Sequence, residues 1–301
     1  MSAAFRVTQR SAALGVQANL QANLAQMQRL ENKLSSGKEI LLPSDSPGGT
    51  ASALSLRADI RRSQQQERNA NDGAGWLAET DNALQSSSTL LRRARDLAVA
   101  GVNATMSSSD REALAIEVDG LRAQMLAVAN TSRLGRPLFS GNATPGPGQP
   151  DVAYDSTGAY VGDSGTVMRS VGENASVQVN LTGPAVFGPA GADAMTVLTT
   201  LAINLRTNPS AIAPTDVANI DAALNRVQTG LSTVGARTNA LETLQARGTV
   251  NRDNRISDLS TVESIDLPKT IMDLKLQETA YQAALAAAAR VIQPSLMDFL
   301  R

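Results

Sequence analysis

The residues of this chain that could do chemistry are of few types. The 301 residues include no Cys and no His, which removes thiolate nucleophiles, disulfides, cysteine zinc sites and the commonest general base. Ser35 and Lys38 have the S-x-x-K spacing of one class of serine hydrolases, but no S-D-N or K-T-G motif accompanies them. Because a helix is predicted to end at these residues, a structural role is favoured and no catalytic residue is assigned.

The charged residues do not define a site either. The 28 Asp and Glu residues are spread along the chain, often with an Arg nearby, as for Asp59 and Arg62. A stretch around Arg57 and Arg61 could contact phosphates, yet a net charge of -1 and a pI near 5.6 argue against nucleic acid. We therefore expect no enzyme, no cofactor and no metal site. A pair of carboxylates that cleaves glycosidic bonds remains an alternative, although no two carboxylates are singled out.

The distribution of Gly and Pro divides the chain. Residues 135–192 hold 11 of the 22 Gly and 6 of the 12 Pro, and residues 176–181 alternate between polar and apolar side chains. This pattern predicts a small β-rich insert. Outside the insert the apolar residues follow a helical period, so we predict a mainly α fold. In this fold, long coiled-coil-like helices from both termini form a rod that carries the insert.

Two apolar seams with alternating spacings of three and four residues predict helices inside the chain. The first seam, interrupted by Thr238, comprises Val217, Ile220, Leu224, Val227, Leu231, Val234 and Leu241. The second seam comprises Leu114, Val118, Leu121, Met125 and Val128. Ser109, with Glu112 three residues later, predicts a capping box at the start of the second helix.

Each terminus carries a narrow stripe of the same kind. Gly37 is predicted to cap the first helix and Asp266 to begin the last one. The two terminal helices can bury their stripes against each other, but a pair of helices is narrow and leaves apolar side chains exposed at its flanks. We therefore expect neighbouring subunits to cover those side chains. The predicted assembly interface comprises Leu20, Leu24, Met27, Leu34, Leu267, Ile271, Leu274, Tyr281, Leu285, Ile292, Leu296 and Phe299.

The scarcity of aromatic residues bears on the core of the protein, and the lack of a long apolar segment bears on its location. Aromatic residues make up 3% of the chain, so a single roomy core of ordinary type is not expected. The most apolar window, residues 283–292, is too short to cross a bilayer, and the first twenty residues lack the continuous apolar stretch of a signal peptide. We therefore expect no membrane partner.

Several sequence blocks resemble a known family. Three blocks are similar to the amino-terminal region of bacterial flagellins and flagellar hook-associated proteins: residues 34–40 (LSSGKEI), 43–47 (PSDSP) and 53–57 (ALSLR). Ser46 stands where that family usually has a second acidic residue. Further blocks resemble the hook-associated branch: residues 71–77 (NDGAGWL), 94–99 (ARDLAV), 135–141 (GRPLFSG), 278–285 (ETAYQAAL) and 295–301 (SLMDFLR).

The resemblance implies a structural adaptor of the flagellum. It would form a ring through its terminal helices and join hook-associated protein 1 on the hook side to flagellin on the filament side. It implies export without a cleaved signal peptide, a chaperone that binds the carboxy-terminal helix, and an extracellular location in the flagellum. The alternatives are a flagellin that polymerises into the filament itself and, more remotely, a flagellum-associated cell-wall hydrolase.

The resemblance also implies a division into three parts. Residues 1–42 and 263–301 would be the terminal coiled-coil helices of an inner tube. Residues 43–134 and 193–262 would form a helical rod domain, and residues 135–192 would form the outer insert.

Overall fold

The computed structural model describes residues 2–103, 106–143 and 151–292, and it divides into two compact units. The first unit comprises residues 1–61 and 253–301, and the second comprises residues 62–252. The three-part division expected from the resemblance stays a prediction.

Helices dominate both units, as the periodicity predicted. They are α1 (Ser2–Ser36), α2 (Pro47–Gly101), α3 (Ser108–Ala129), α4 (Gly183–Phe187), α5 (Ala194–Thr207), α6 (Val217–Glu263) and α7 (Leu267–Ile292). A 3-10 turn at Pro209–Ala211 and a π-helical turn at Ile212–Asp216 lead into α6.

Several helix ends follow the predicted signals. Gly37 has a φ of +68°, in the left-handed region that favours glycine, directly after α1. The Asp266 carboxylate accepts a hydrogen bond from the N–H of Lys269 at 3.1 Å, at the start of α7. Both predictions are confirmed.

The capping box of α3 is two residues earlier than predicted. Ser107, rather than Ser109, is the N-cap, and its hydroxyl accepts from the N–H of Asp110 at 3.2 Å. Glu112 instead pairs with Arg206 of α5, at 3.0 Å. The sequence offers several Ser and acidic residues in a row, so local spacing alone could not select among them.

The strands are short and form two antiparallel hairpin pairs. The strands β1 (Ser132–Arg133) and β2 (Arg136–Pro137) pair with each other, and β3 (Met168–Ser170) pairs with β4 (Ser176–Gln178). In the second pair Arg169 lies opposite Val177. The predicted insert therefore contains strands, but it also contains α4 and much irregular backbone.

The second unit has one contiguous apolar core, which corrects the expectation from the low aromatic content. The predicted seams of α3 and α6 enter it, since Val118, Leu121 and Met125 of α3 are buried together with Leu224 and Leu241 of α6. Most of the core side chains are Leu, Val and Ala. Helices can approach closely through such small and aliphatic residues, so few aromatic rings are needed.

The helices α2 and α6 run antiparallel within this unit. Arg95 of α2 donates to the carboxylate of Asp221 of α6 at 2.6 Å, and farther along Gln245 of α6 donates to Asn71 of α2 at 3.0 Å. The residue numbers rise along one helix as they fall along the other. Asp221, which makes one of these polar contacts, is next to Ile220 in the buried apolar seam of α6.

Four of the chain's aromatic residues meet in the insert. The rings of Phe139 and Phe187 are 5.1 Å apart between centroids, and those of Tyr154 and Tyr160 are 5.3 Å apart. Burial raises the pKa of the Tyr154 hydroxyl, and it raises the pKa of Tyr160 to about 12. The cluster supplies a small aromatic core that the sequence did not indicate.

Candidate assembly site

A short backbone clamp joins the end of α1 to the start of α7. The N–H of Glu39 donates to the carbonyl of Glu263 at 2.7 Å, and the N–H of Ile265 donates to the carbonyl of Gly37 at 3.2 Å. These bonds flank an isolated antiparallel β-bridge. The clamp fixes the point from which the two terminal helices run side by side.

A partly shielded carboxylate braces the clamp. Glu263 Oε2 accepts from the guanidinium of Arg57 at 2.8 Å and lies 3.9 Å from the ammonium of Lys38. The side chain of Glu263 is only 12% exposed, so its ion pairs are less screened than ordinary surface pairs. This network ties the start of α2 to the end of α6.

The S-x-x-K motif belongs to the same helix end. Ser35, the serine of the motif, is exposed in the last turn of α1. The hydroxyl of the neighbouring Ser36 donates to the carbonyl of Lys33 and accepts from the N–H of Lys38, both at 3.3 Å. The Lys38 ammonium faces Glu263. A serine nucleophile needs a base that receives its proton, whereas this lysine is a charged partner of a carboxylate. The motif is therefore structural.

Two carboxylates of the insert, Asp155 and Asp163, have environments that do not suit a glycosidase acid. Asp155 accepts from the Thr157 hydroxyl at 2.6 Å, and this bond lowers the pKa of its carboxyl. Asp163 accepts from the N–H groups of Asn142 and Gly165, which lowers its pKa as well. A general acid in such an enzyme needs a raised pKa. These two carboxylates instead brace their own loops.

The helices α1 and α7 pair antiparallel along a seam with alternating spacings of three and four. Gln277 of α7 donates to both the carbonyl and the side-chain oxygen of Asn23 of α1, each at 3.3 Å. On α1 the partly buried seam positions are Val16, Leu20, Asn23, Met27, Leu30 and Leu34. On α7 the partly buried seam positions are Leu274, Gln277, Tyr281 and Ala284, and the buried ones are Thr270 and Ala288.

The predicted stripes match this seam at one of its two heptad positions. Leu20, Met27 and Leu34 of α1 lie on the seam, as do Leu274 and Tyr281 of α7. At the other position the predicted residue lies one place after the observed one. At three of these places the residue that faces the partner helix is the less apolar of the two neighbours, because Asn23, Thr270 and Ala284 lie on the seam in place of Leu24, Ile271 and Leu285.

Four of the remaining predicted interface residues are exposed beside the seam. Leu24 is 38% exposed, Leu267 53%, Ile271 45% and Leu285 44%. The side chain of Ile292 is not among those described, and the predicted Leu296 and Phe299, with the whole 295–301 block, lie outside the described residues.

Sequence reasoning missed three further exposed apolar side chains on these helices. Leu14 of α1 and both Met272 and Leu276 of α7 are exposed, and they lie outside the predicted stripes. The spacing of four between Met272 and Leu276 is the signal that could have identified a second apolar row on α7. The α1–α7 pair therefore presents apolar side chains that it does not bury itself.

The described part of the chain holds neither a metal-binding cluster nor a membrane-spanning helix. Within residues 2–103, 106–143 and 151–292 no three Asp or Glu side chains come together as a metal site would require. No helix in these same ranges has the length and apolarity to cross a membrane.

Comparisons with known proteins agree with the geometry. The family model for the bacterial flagellin N-terminal helical region matches residues 7–144. Flagellar hook-associated protein 3 of Escherichia coli K12 is 26% identical over 287 residues, which cover 87% of this chain and 89% of that protein. Residues 7–144 therefore match the family, and the chain is similar to flagellin-like proteins along most of its length. The family is structural and non-enzymatic.

Other flagellin-like proteins match over similar lengths. The flagellar filament 31.3 kDa core protein of Treponema maltophilum is 27% identical over 291 residues, which cover 93% of each chain. The crystal structure of flagellar hook associated protein-3 from Legionella pneumophila aligns with a TM-score of 0.61 at 18% identity. This alignment covers 69% of this chain and 98% of that one. The likeness shows that the two share a fold.

Proposed function

We propose that this chain is the structural adaptor at the junction between the flagellar hook and the filament, and that it assembles as a ring through α1 and α7. The observation that carries the proposal is the α1–α7 pair. Its seam occupies only two heptad positions on each helix, and Leu267, Ile271 and Leu285 remain exposed beside it. A pair of this kind gains stability when neighbouring subunits cover its flanks.

The size of that gain can be estimated from the exposed side chains. Covering a half-exposed Leu or Ile contributes about 1 kcal/mol, or half of what full burial of such a side chain gives. Leu267, Ile271 and Leu285 together would then contribute about 3 kcal/mol per subunit. This corresponds to roughly a hundredfold in an association constant.

The proposed partners follow from the position at a junction. The chain would contact hook-associated protein 1 on one side, flagellin on the other, and further copies of itself around the ring. The exposed apolar row of α7, at Met272 and Leu276, supports contacts between copies, because every subunit presents this same surface.

We propose that the chain is exported unfolded and that a cytoplasmic chaperone binds α7 beforehand. The exposed Met272 and Leu276 support this step, since an apolar helix face needs cover before assembly. The absence of Cys supports export as well, because no thiol can cross-link on the way to an oxidising exterior.

The interface is tested by the double variant Ile271→Gln and Leu285→Gln. Both residues are exposed, so the monomer should keep its helix content by circular dichroism. In a strain lacking the native protein we expect loss of the variant from hook tips and loss of motility. Ile116→Gln on α3 is the matched control, since Ile116 is 61% exposed in the other unit and should be tolerated. Equal recovery of all three proteins at hook tips would contradict the interface.

The adaptor role is tested in a strain that makes no flagellin. Labelled protein should be found at the tip of the hook, and deletion of residues 267–301 should remove it. If the shortened protein still occupied the hook tip and supported filament growth, the terminal helices would not be the assembly site.

A flagellin that forms the filament itself is the second candidate. It is favoured by the similar identity to the Treponema maltophilum filament core protein. Purified chain added to filament seeds distinguishes the two roles. Long filaments composed of this chain would establish the flagellin role, whereas short oligomers or capped seeds support the adaptor.

A further inference from the structure

Two amide side chains face each other inside the α1–α7 seam. Gln277 Nε2 lies 3.3 Å from both the side-chain oxygen and the backbone carbonyl of Asn23, and both side chains are partly buried. The flanking seam positions on α1 are Leu20 and Met27, and those on α7 are Leu274 and Tyr281. The amide pair is thus a polar contact within a largely apolar seam.

A shift of one heptad would separate this pair. In an antiparallel alignment with Asn23 opposite Gln277, a shift in one direction places Asn23 opposite Ala284 and Gln277 opposite Leu30. A shift in the other direction places Asn23 opposite Thr270 and Gln277 opposite Val16. In three of these four contacts an amide faces a side chain without a hydrogen-bonding group, so amide groups lose their partner.

The apolar seam positions do not discriminate between registers in this way. Leu and Met can exchange partners across a seam at small cost, because volume-conserving apolar contacts are tolerated. A buried polar residue at a heptad position is the best-attested device for specifying register in coiled coils.

We propose that the Asn23–Gln277 pair selects the register of α1 on α7. The backbone clamp at Gly37 and Ile265 favours the same register at one end of the helices. The amide pair lies about 18 to 21 Å from it, at 1.5 Å per residue. A slip of one heptad would displace the exposed apolar row of α7 by about 10 Å along α1. The inference concerns the chain's own helices and does not depend on the flagellar role.

The absence of native Cys allows a direct test on the full chain. Met27→Cys with Leu274→Cys reports the observed register, and Met27→Cys with Tyr281→Cys reports a slip of one heptad. After mild oxidation, disulfides within a chain are separated by electrophoresis from those between chains. In the native background we expect the first pair to form within the chain about tenfold or more over the second, the ratio that one unpaired amide would produce.

Replacing both amides by leucine should remove this selectivity. In the variant Asn23→Leu with Gln277→Leu, we expect the ratio to fall toward one while helix content is retained, because leucine suits a seam. The exchange variant Asn23→Gln with Gln277→Asn keeps one amide on each helix and should retain the native ratio. A single Gln277→Leu variant, which leaves Asn23 unpaired, provides a second reading if the double variant does not fold.

The results that would overturn the proposal are specific. An unchanged ratio in the double leucine variant would show that the clamp alone sets the register. A ratio that falls equally in the exchange variant would show that side-chain shape, rather than amide pairing, decides it.

Discussion

The contact between Phe139 and Phe187 offers a quantitative test of how the insert is stabilised. Both rings are fully buried, their centroids are 5.1 Å apart, and their planes are inclined by 77°. This edge-to-face arrangement brings the positive edge of one ring to the negative face of the other. Changing each Phe to Leu, singly and together, removes this contact while keeping both positions apolar.

The structure sets the expected magnitudes. Each single change should lower the free energy of unfolding by about 1–2 kcal/mol, since it removes part of a buried side chain and leaves a small void. The double change should cost less than the two single changes added together, by about 0.5–1.5 kcal/mol. That difference is the coupling between the rings.

Urea unfolding followed by tryptophan fluorescence measures the coupling. Trp76 is the single tryptophan of the chain, and it is buried in the same core as both phenylalanines. A control cycle combines Phe139→Leu with Leu205→Ala, whose side chain packs by Gly101 at the end of α2. These two changes should be additive within about 0.5 kcal/mol.

A coupling between the rings is ruled out if the two phenylalanine changes are as additive as the control pair while the urea dependence of all variants stays the same. The rings would then contribute only through the area they bury. A changed urea dependence would instead indicate a different folded or unfolded state, and the cycle would be repeated by calorimetry.

Three further predictions concern stability elsewhere. Gly120→Ala should raise the free energy of unfolding by about 0.5–1 kcal/mol, because the added methyl group in α3 meets nothing within 4 Å. Gly101→Ala should lower it, because a Cβ there would lie 2.4 Å from Leu205 Cδ2, and urea unfolding of both variants would show opposite signs. Burial raises the pKa of Asp216, opposed by hydrogen bonds from Asn204, so the folded chain holds this proton more tightly than the unfolded chain. The stability from this group is complete below the ordinary carboxyl pKa and is lost as pH rises through the raised value. As the pH rises from about 3 to about 7, the native chain should therefore lose stability relative to the Asp216→Asn variant. If the difference in free energy of unfolding between the two proteins did not change with pH, Asp216 would not have a raised pKa.

The seam of α6 shows what local sequence could establish. Ile220, Leu224 and Val227 were predicted to share a face, and all three are buried. The prediction succeeded because a helix places residues three and four apart on one side, whatever the partner is. Local capping signals likewise located the start of α7 at Asp266 and the cap of α1 at Gly37.

The terminal helices show where that rule stops. Asn23 and Leu24 are adjacent, and the apolar residue was the natural choice for the seam. The structure places Asn23 against Gln277, 254 residues away, and leaves Leu24 more exposed. Which of two neighbouring rows is buried depends on the surface of the partner helix, which no local pattern contains.

The clamp and the aromatic cluster were likewise beyond the sequence. Lys38 and Glu263 are far apart in the chain, and Phe139 is 48 residues from Phe187. Each residue alone reads as an ordinary surface charge or an isolated ring. Their roles arise only when the antiparallel course of the helices brings the distant segments together.

The sequence by itself determined that the protein is mainly helical, lacks thiol and imidazole chemistry, and carries a Gly- and Pro-rich insert. It also showed that the terminal helices carry narrow apolar stripes, which can be buried only against a partner helix or subunit. These properties depend on composition and on periods of a few residues. Only the tertiary structure decided the phase of the α1–α7 seam, the bracing of its end by Glu263, and the convergence of rings in the insert. Those features depend on which distant surfaces meet, and that is settled by packing the whole chain at once.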